Sequence, residues 1–118
     1  MKAEELMIGD WVAFRGCAYQ CTAQDIVIMY FCEDNDTPTN TSAIPITTKI
    51  LGENGAILYD TFARIDIGNY YVIYDYDGFL TICDEEDNVR KISYLECHYV
   101  HQLQHALRLC GINKQIKI

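Results

Sequence analysis

The chain is short of positive charge. Nine Lys and Arg stand against seventeen Asp and Glu in 118 residues, for a net charge of −8 and a pI near 4.6. No run of Lys or Arg gathers into a patch. A phosphate backbone is therefore repelled on average, and generic nucleic-acid binding is disfavoured. Long apolar runs are missing too. The longest, Ile26-Val27-Ile28-Met29-Tyr30-Phe31-Cys32, is far too short to span a bilayer. No apolar region follows Met1-Lys2, so a secretory signal is not expected. A phosphate-binding glycine loop, an HExxH helix and paired Cys-x-x-Cys spacings are all lacking, which leaves no ready-made nucleotide, zinc-protease or zinc-ribbon site.

What remains is an ordinary folded composition, 50% hydrophobic and 22% charged, which argues against global disorder. The length is that of one domain, residues 1–118, with room for a real core. Six cysteines (Cys17, Cys21, Cys32, Cys83, Cys97 and Cys110) would suit a disulfide framework in a secreted chain, but no export signal accompanies them. Most sit among apolar residues, where reduced Cys behaves as a small hydrophobe. Reduced thiols in a cytoplasm are the expectation.

Along the chain, Glu5 to Phe14 reads as a loop and a strand, Arg15-Gly16 as a tight turn, and Cys17 to Thr22 as the returning strand. Ile26 to Cys32 reads as a third strand. Three short strands this close together predict a small curved sheet of the SH3-like kind over residues 1–46. The polar stretch Glu33 to Ser42 reads as loop, and Ile44-Pro45-Ile46 as extended, because the residue before proline avoids the helical region. Thr47 or Thr48 can cap a short helix that Asn54-Gly55 stops, giving a helix within 47–55. Residues 56–118 read as an antiparallel meander with a C-terminal helix. Its strands are Leu58–Asp66, Tyr70–Tyr76, Phe79–Cys83 and Val89–Leu95; Asp77-Gly78 is the strongest two-residue hairpin signal, and Ile116-Lys117-Ile118 could add an edge strand. In the second of these strands Tyr70, Val72, Tyr74 and Tyr76 share one face, with Tyr71, Ile73, Asp75 and Asp77 on the other. The fold class is thus α+β, mostly β: an SH3-like N-terminal barrel half and a β-meander covered by the C-terminal helix.

Three segments together resemble a family of small proteins from gut anaerobic bacteria, common in their phages and other mobile elements. They are Leu6-Met7-Ile8-Gly9-Asp10-Trp11-Val12, Ile44 to Gly55 (Ile-Pro-Ile-Thr-Thr-Lys-Ile-Leu-Gly-Glu-Asn-Gly) and Tyr99-Val100-His101-Gln102-Leu103-Gln104. Their order matches the family's and they span nearly the whole chain, the closing motif being the most specific. Ala56 departs from the aromatic that often follows Asn-Gly there. The resemblance implies a mobile-element setting and no activity, cofactor or catalytic residue.

The chemistry-bearing side chains concentrate in the C-terminal helix. At 3.6 residues per turn, Tyr99, Val100, Leu103, Ala106, Leu107 and Cys110 share one arc, the expected buried stripe. His98, His101 and His105 fall on the opposite side at spacings i, i+3 and i+7. Neighbouring imidazoles so placed could chelate Zn²⁺ or another borderline metal, and His98, His101 and His105 are the metal candidates. A fourth ligand and a local general base are missing, so the same strip, with Gln102, reads better as a contact surface: His98, His101, Gln102 and His105. Cys97 and His101 could form a thiol–imidazole pair at i and i+4, without an identifiable third residue to orient them. Cys17 and Cys21 lie too far apart along a strand to pair within it and read as buried structural thiols. The acidic clusters Glu33–Asp36 and Asp84–Asp87 lack the twelve-residue calcium pattern and read as solubilising turns that protect sheet edges. The nine tyrosines suit contact surfaces and half-buried strands alike.

The function these features favour is a non-enzymatic protein-interaction module, cytoplasmic and without a cofactor, whose partner is another protein or a second copy rather than a membrane or nucleic acid. A metal-binding protein or enzyme built on the histidine strip is the first alternative, and an acidic inhibitor of a nucleic-acid-binding host protein the second.

Overall fold

In the computed structural model, which describes residues 1–118 apart from Thr37, Thr39 and Asp87, the chain is α+β and mostly β. The described residues form an antiparallel three-stranded sheet, an antiparallel five-stranded sheet and three α-helices. Two compact units divide it: residues 1–45 with 99–101, and residues 46–98 with 102–118.

The first unit opens with a 3-10 turn at Ala3–Glu5, then strands β1 (Trp11–Phe14) and β2 (Cys17–Gln20). Their two-residue loop is Arg15-Gly16, with φ of 51° and 81°. Positive φ at both positions is what a type I′ hairpin turn needs, and its twist matches that of the paired strands. The buried Asp10 carboxylate accepts the Met7 N–H at 2.7 Å, and backbone bonds Gly9 N–H to Cys21 O and Cys21 N–H to Asp10 O, each 2.8 Å, hold the entry to β1 against the exit from β2.

Between β2 and the third strand of this sheet, β3 (Thr41–Ala43), runs helix α1 (Ala23–Asp34). This corrects the expectation for Ile26–Cys32, which is helix and not strand. The sheet, in the order β2-β1-β3, takes its third strand from Thr41–Ala43 instead. Local chemistry decides the matter. The Thr22 hydroxyl accepts the Asp25 N–H at 3.3 Å while the Asp25 carboxylate accepts the Thr22 N–H at 2.8 Å, a reciprocal capping box that starts the helix. The β-branched and aromatic run leans towards strand only weakly, by tenths of a kcal/mol per residue. The polar stretch expected as loop is likewise shorter: Glu33 and Asp34 close α1, Thr41 and Ser42 begin β3, and Thr37 and Thr39 lie outside the described residues. Ala3, Leu6, Val12, Cys21 and Met29 form the core of this unit, flanked by Tyr19 and Ile26. The Ala3 N–H donates to the Glu33 carboxylate at 2.6 Å, tying the N-terminal turn to the far end of α1.

The second unit begins with helix α2 (Thr48–Glu53), inside the expected 47–55. The Thr47 hydroxyl caps it by accepting the Ile50 N–H at 3.2 Å, and Asn54-Gly55, with Gly55 at φ 88°, ends it. Strands β4 (Ile57–Leu58), β5 (Phe62–Ile67), β6 (Tyr70–Asp75), β7 (Phe79–Asp84) and β8 (Val89–Glu96) follow as a meander in chain order; the single strand expected over Leu58–Asp66 is instead the pair β4 and β5, antiparallel across 59–61. Gly68-Asn69 makes the β5–β6 turn with positive φ at Gly68 alone, the pattern of a type II′ turn. The β6–β7 loop departs from expectation. It has three residues, Tyr76-Asp77-Gly78, and only Gly78 has positive φ, 99°. The Gly78 N–H donates to Asp75 O and the Asp77 N–H to the Asp75 carboxylate, so Asp75 templates a turn that Gly78 closes.

Alternation along the strands separates two faces. Ala63, Ile65, Val72, Tyr74, Leu80 and Ile82 are buried on one, in register across β5, β6 and β7. The remaining buried apolar residues of the unit include Ile50 and Leu51 of α2, then Leu103, Ala106 and Leu107 of helix α3 (Val100–Leu109), then Ile112 and Ile116. Ile116–Ile118 is not the edge strand anticipated. The Asn54 side chain takes the place of a partner strand, accepting the Lys117 N–H at 2.7 Å and donating to Lys117 O at 2.8 Å and to Ile50 O at 2.7 Å. Among the described residues no helix is long and apolar enough to cross a membrane.

Candidate protein-contact surface

The four residues anticipated as a polar strip do not share one environment. His101 is buried, 4% exposed, and its ring stacks on that of Tyr99 at 6.0 Å. His105 and Gln102 are half-buried, and His98, before the start of α3, is exposed. His98 is committed locally: its N–H donates to the Gln102 side-chain carbonyl at 2.9 Å, and its Nε2 lies 2.9 Å from the Glu96 carboxylate. The reason is the placement of burial on α3. Val100, His101, Leu103, Gln104, Ala106 and Leu107 are all buried, while Tyr99 and Cys110 of the expected stripe are exposed and half-buried, so the enclosed arc is displaced from the apolar stripe and takes in polar residues that periodicity places outside it. Among the described residues no three His, Cys, Asp or Glu side chains come together in a group that could hold a metal ion.

The cysteine readings resolve by burial. All six thiols are free. Cys97 is fully enclosed, and burial pushes its thiol up to about 12, so it stays protonated where a nucleophile needs to ionise. Cys21 is buried as expected and donates to Asp10 O at 3.2 Å, whereas Cys17 is exposed, on the edge strand β2. Of the two acidic clusters, the first is the C-terminal end of α1 and the turn after it, and the second is the β7–β8 turn, with Asp87 outside the described residues.

A surface that periodicity did not anticipate lies on α1. Val27, Ile28, Tyr30 and Phe31 are 65%, 50%, 46% and 66% exposed, while Met29 is the helix's buried residue. At 3.6 residues per turn these four cover an outward arc of roughly 160°. A helix in a small domain ordinarily turns its apolar stripe inward and charges outward. The seven middle residues of this one, Ile26 to Cys32, are apolar all round. Its Asp25, Ile28, Met29 and Cys32, at i, i+3, i+4 and i+7, form one wall of a cavity of about 400 Å³. Phe14, Tyr19, Pro38, Asn40 and Thr41 form the other, with Phe14 and Tyr19 edge to face at 6.1 Å. Burial here pushes the Tyr19 phenol up. Ile28 belongs to both cavity and outward arc, so the two are one continuous apolar surface.

The charges around it are mostly acidic, although the Arg15 guanidinium lies over the Phe14 ring at 5.2 Å. Residues 1–45 carry Glu4, Glu5, Asp10, Asp25, Glu33, Asp34 and Asp36 against Lys2 and Arg15. α1 itself has no basic residue, and Glu33 and Asp34 occupy its last turn. There they add to the negative end of the helix dipole, an arrangement that disfavours the helix and deepens the local negative potential. A second cavity, about 240 Å³ on the outer face of the five-stranded sheet, is lined by Phe62, Tyr71, Phe79, Arg90 and Tyr94. It is smaller and mixed in charge, and the neighbouring Arg64 is taken up by Asp66 and Glu85 at 3.0 and 2.9 Å.

No family model, curated protein or solved structure matches the chain. The signal that could have found the surface in the sequence was Thr22-Ala23-Gln24-Asp25, a capping box ahead of seven apolar residues. Read as a helix, that run leaves an apolar side with nowhere to go.

Proposed function

We propose that the protein is a non-enzymatic protein-interaction module, cytoplasmic and encoded by a mobile element or phage-like region, and that its contact surface is the outward side of α1 with the adjoining cavity. The observation that carries this reading is the arc Val27-Ile28-Tyr30-Phe31, four large apolar side chains about half exposed or more on one short helix. Scattered single hydrophobes are normal on a surface, but a contiguous group of this size usually marks an interface. The setting rests on the family resemblance, and six free thiols suit a reducing compartment. Burial of His101 and protonation of Cys97 weigh against the metal and thiol-nucleophile alternatives.

The test is the double variant V27D/F31D. These side chains bury little, so thermal stability should stay within a few °C of the parent or rise. A partner captured by the parent chain, identified by mass spectrometry and then purified, should lose at least about tenfold in affinity for the variant. Equal affinity, or a collapse in melting temperature, would show that the arc serves the fold or nothing.

A further inference from the structure

The shape and charge of the same surface narrow what it takes. We infer that the cavity and the outward arc of α1 receive a cationic amphipathic helix of a partner protein, its apolar residues in the cavity and along Ile28, Val27 and Phe31, its Lys and Arg over the acidic surround. This deepens the protein-interaction reading and rests on it.

Three observations bear on the occupant. The apolar surface runs along Ile26 to Cys32, seven of the twelve residues of α1, about 10 Å at 1.5 Å per residue, which two turns of an amphipathic helix match in length. The cavity of about 400 Å³ is large enough for one or two anchoring side chains, and its walls, Phe14, Tyr19, Ile28, Met29, Cys32 and Pro38, are apolar or nearly so. The charge beside it is mostly acidic: Asp25 lines the cavity, and Glu33, Asp34 and Asp36 crowd the C-terminal end of α1, where the dipole is already negative, against Arg15 over the Phe14 ring on the opposite wall. An occupant with the same acidic character would be repelled, and that includes a second copy of this chain at −8. A basic amphipathic helix satisfies all three.

The experiment uses the full chain and two fluorescein-labelled fourteen-residue peptides. Both carry leucine at one helical stripe; one has lysine elsewhere, the other glutamate. Binding is read by anisotropy on the parent, on Ile28→Glu and on Leu109→Glu. The last adds the same charge at an 83% exposed position of the other unit. The lysine peptide should bind at least about tenfold tighter than the glutamate peptide, and more weakly as salt is raised. Ile28→Glu should weaken it about tenfold or more despite adding attractive charge, while Leu109→Glu should change it less than about twofold. If Ile28→Glu and Leu109→Glu behave alike, the binding is diffuse electrostatics and the inference falls. It falls also if the two peptides bind equally, or if sedimentation shows a dimer that Val27→Asp dissociates, which would make a second copy the occupant. A natural partner lost in V27D/F31D while the peptides fail would leave the interaction reading standing and remove only this one.

Discussion

Gly78 and His98 occupy the same small volume, and each restricts what the other position can hold. Gly78 sits at φ 99°, a conformation that L side chains rarely adopt, and a Cβ placed there would overlap the His98 ring. The ring is the end of an exposed side chain, held at Nε2 only by an exposed contact with Glu96 at 2.9 Å, so displacing it costs about 1 kcal/mol or less and the left-handed backbone carries the larger part of the penalty. Gly78→Ala therefore combines backbone strain with a steric overlap and should destabilise the protein by about 2–3 kcal/mol. His98→Ala alone should cost little, since both partners of the Glu96 contact are exposed. The double variant separates the two terms: it should recover the overlap but keep the strain, so that its loss is smaller than that of Gly78→Ala by about 1 kcal/mol. Thermal or urea unfolding of the four proteins measures the cycle, and strict additivity would mean that the ring does not constrain the turn.

Asn54 does for the C-terminal tail what a neighbouring strand does elsewhere in a sheet. Its amide pairs with both backbone groups of Lys117 and with Ile50 O at the end of α2. Asn54→Ala leaves both backbone groups of Lys117 unmet, while Ile50 O keeps the Asn54 N–H at 3.2 Å, and should cost about 1–2 kcal/mol. Hydrogen exchange gives the sharper readout: the Lys117 amide should lose protection while amides of β6 and β7 keep theirs, and unchanged Lys117 exchange would overturn the assignment. The same elements show which parts of the fold the sequence makes legible. Arg15-Gly16, Thr47 and the strands at Tyr70–Tyr76, Phe79–Cys83 and Val89–Leu95 are readable because each is bounded by a turn or cap whose chemistry is local, whereas Leu58–Asp66 hides a turn at Tyr59-Asp60-Thr61 that carries no glycine or proline. Asp77-Gly78 was read as a turn of the wrong length because Asp75, one residue beyond the motif, supplies the templating carboxylate. Ile26–Cys32 was misread as strand because all its residues are apolar, so a period of 2 and one of 3.6 look the same; only the cap four residues earlier distinguishes them. The contact surface was lost with it. The histidine strip was overestimated for a related reason, since periodicity finds an apolar stripe and not where tertiary packing encloses the helix, here over His101 and Gln104.

For the whole molecule, the excess of carboxylates and two enclosed acids set how stability responds to pH. The Tyr74 phenol and the Cys97 thiol, ordinarily near 10 and 9, are both pushed up to about 12, chiefly by burial. They are neighbours: the Tyr74 hydroxyl donates to Cys97 O at 2.8 Å. Unfolding returns each group to its ordinary value, so from about pH 9 upward the unfolded chain releases protons that the folded chain retains. Their contribution to stability is complete below pH 9, declines through the window to about 12, and is gone above it. Each group steepens the decline by up to about 1.4 kcal/mol per pH unit while it is ionised only in the unfolded chain. Self-repulsion acts in the same direction, because every ionisation adds to a chain already at −8. Melting temperature should therefore be flat near neutrality and fall steeply beyond about pH 9.5, with salt recovering the repulsive part but not the part due to burial. Tyr74→Phe tests the assignment. It should lower stability at neutral pH by about 1 kcal/mol for the lost hydrogen bond, yet flatten the alkaline decline above pH 10. A decline equally steep in Tyr74→Phe and Cys97→Ala would place the alkaline sensitivity in the general charge of the molecule and not in this buried pair.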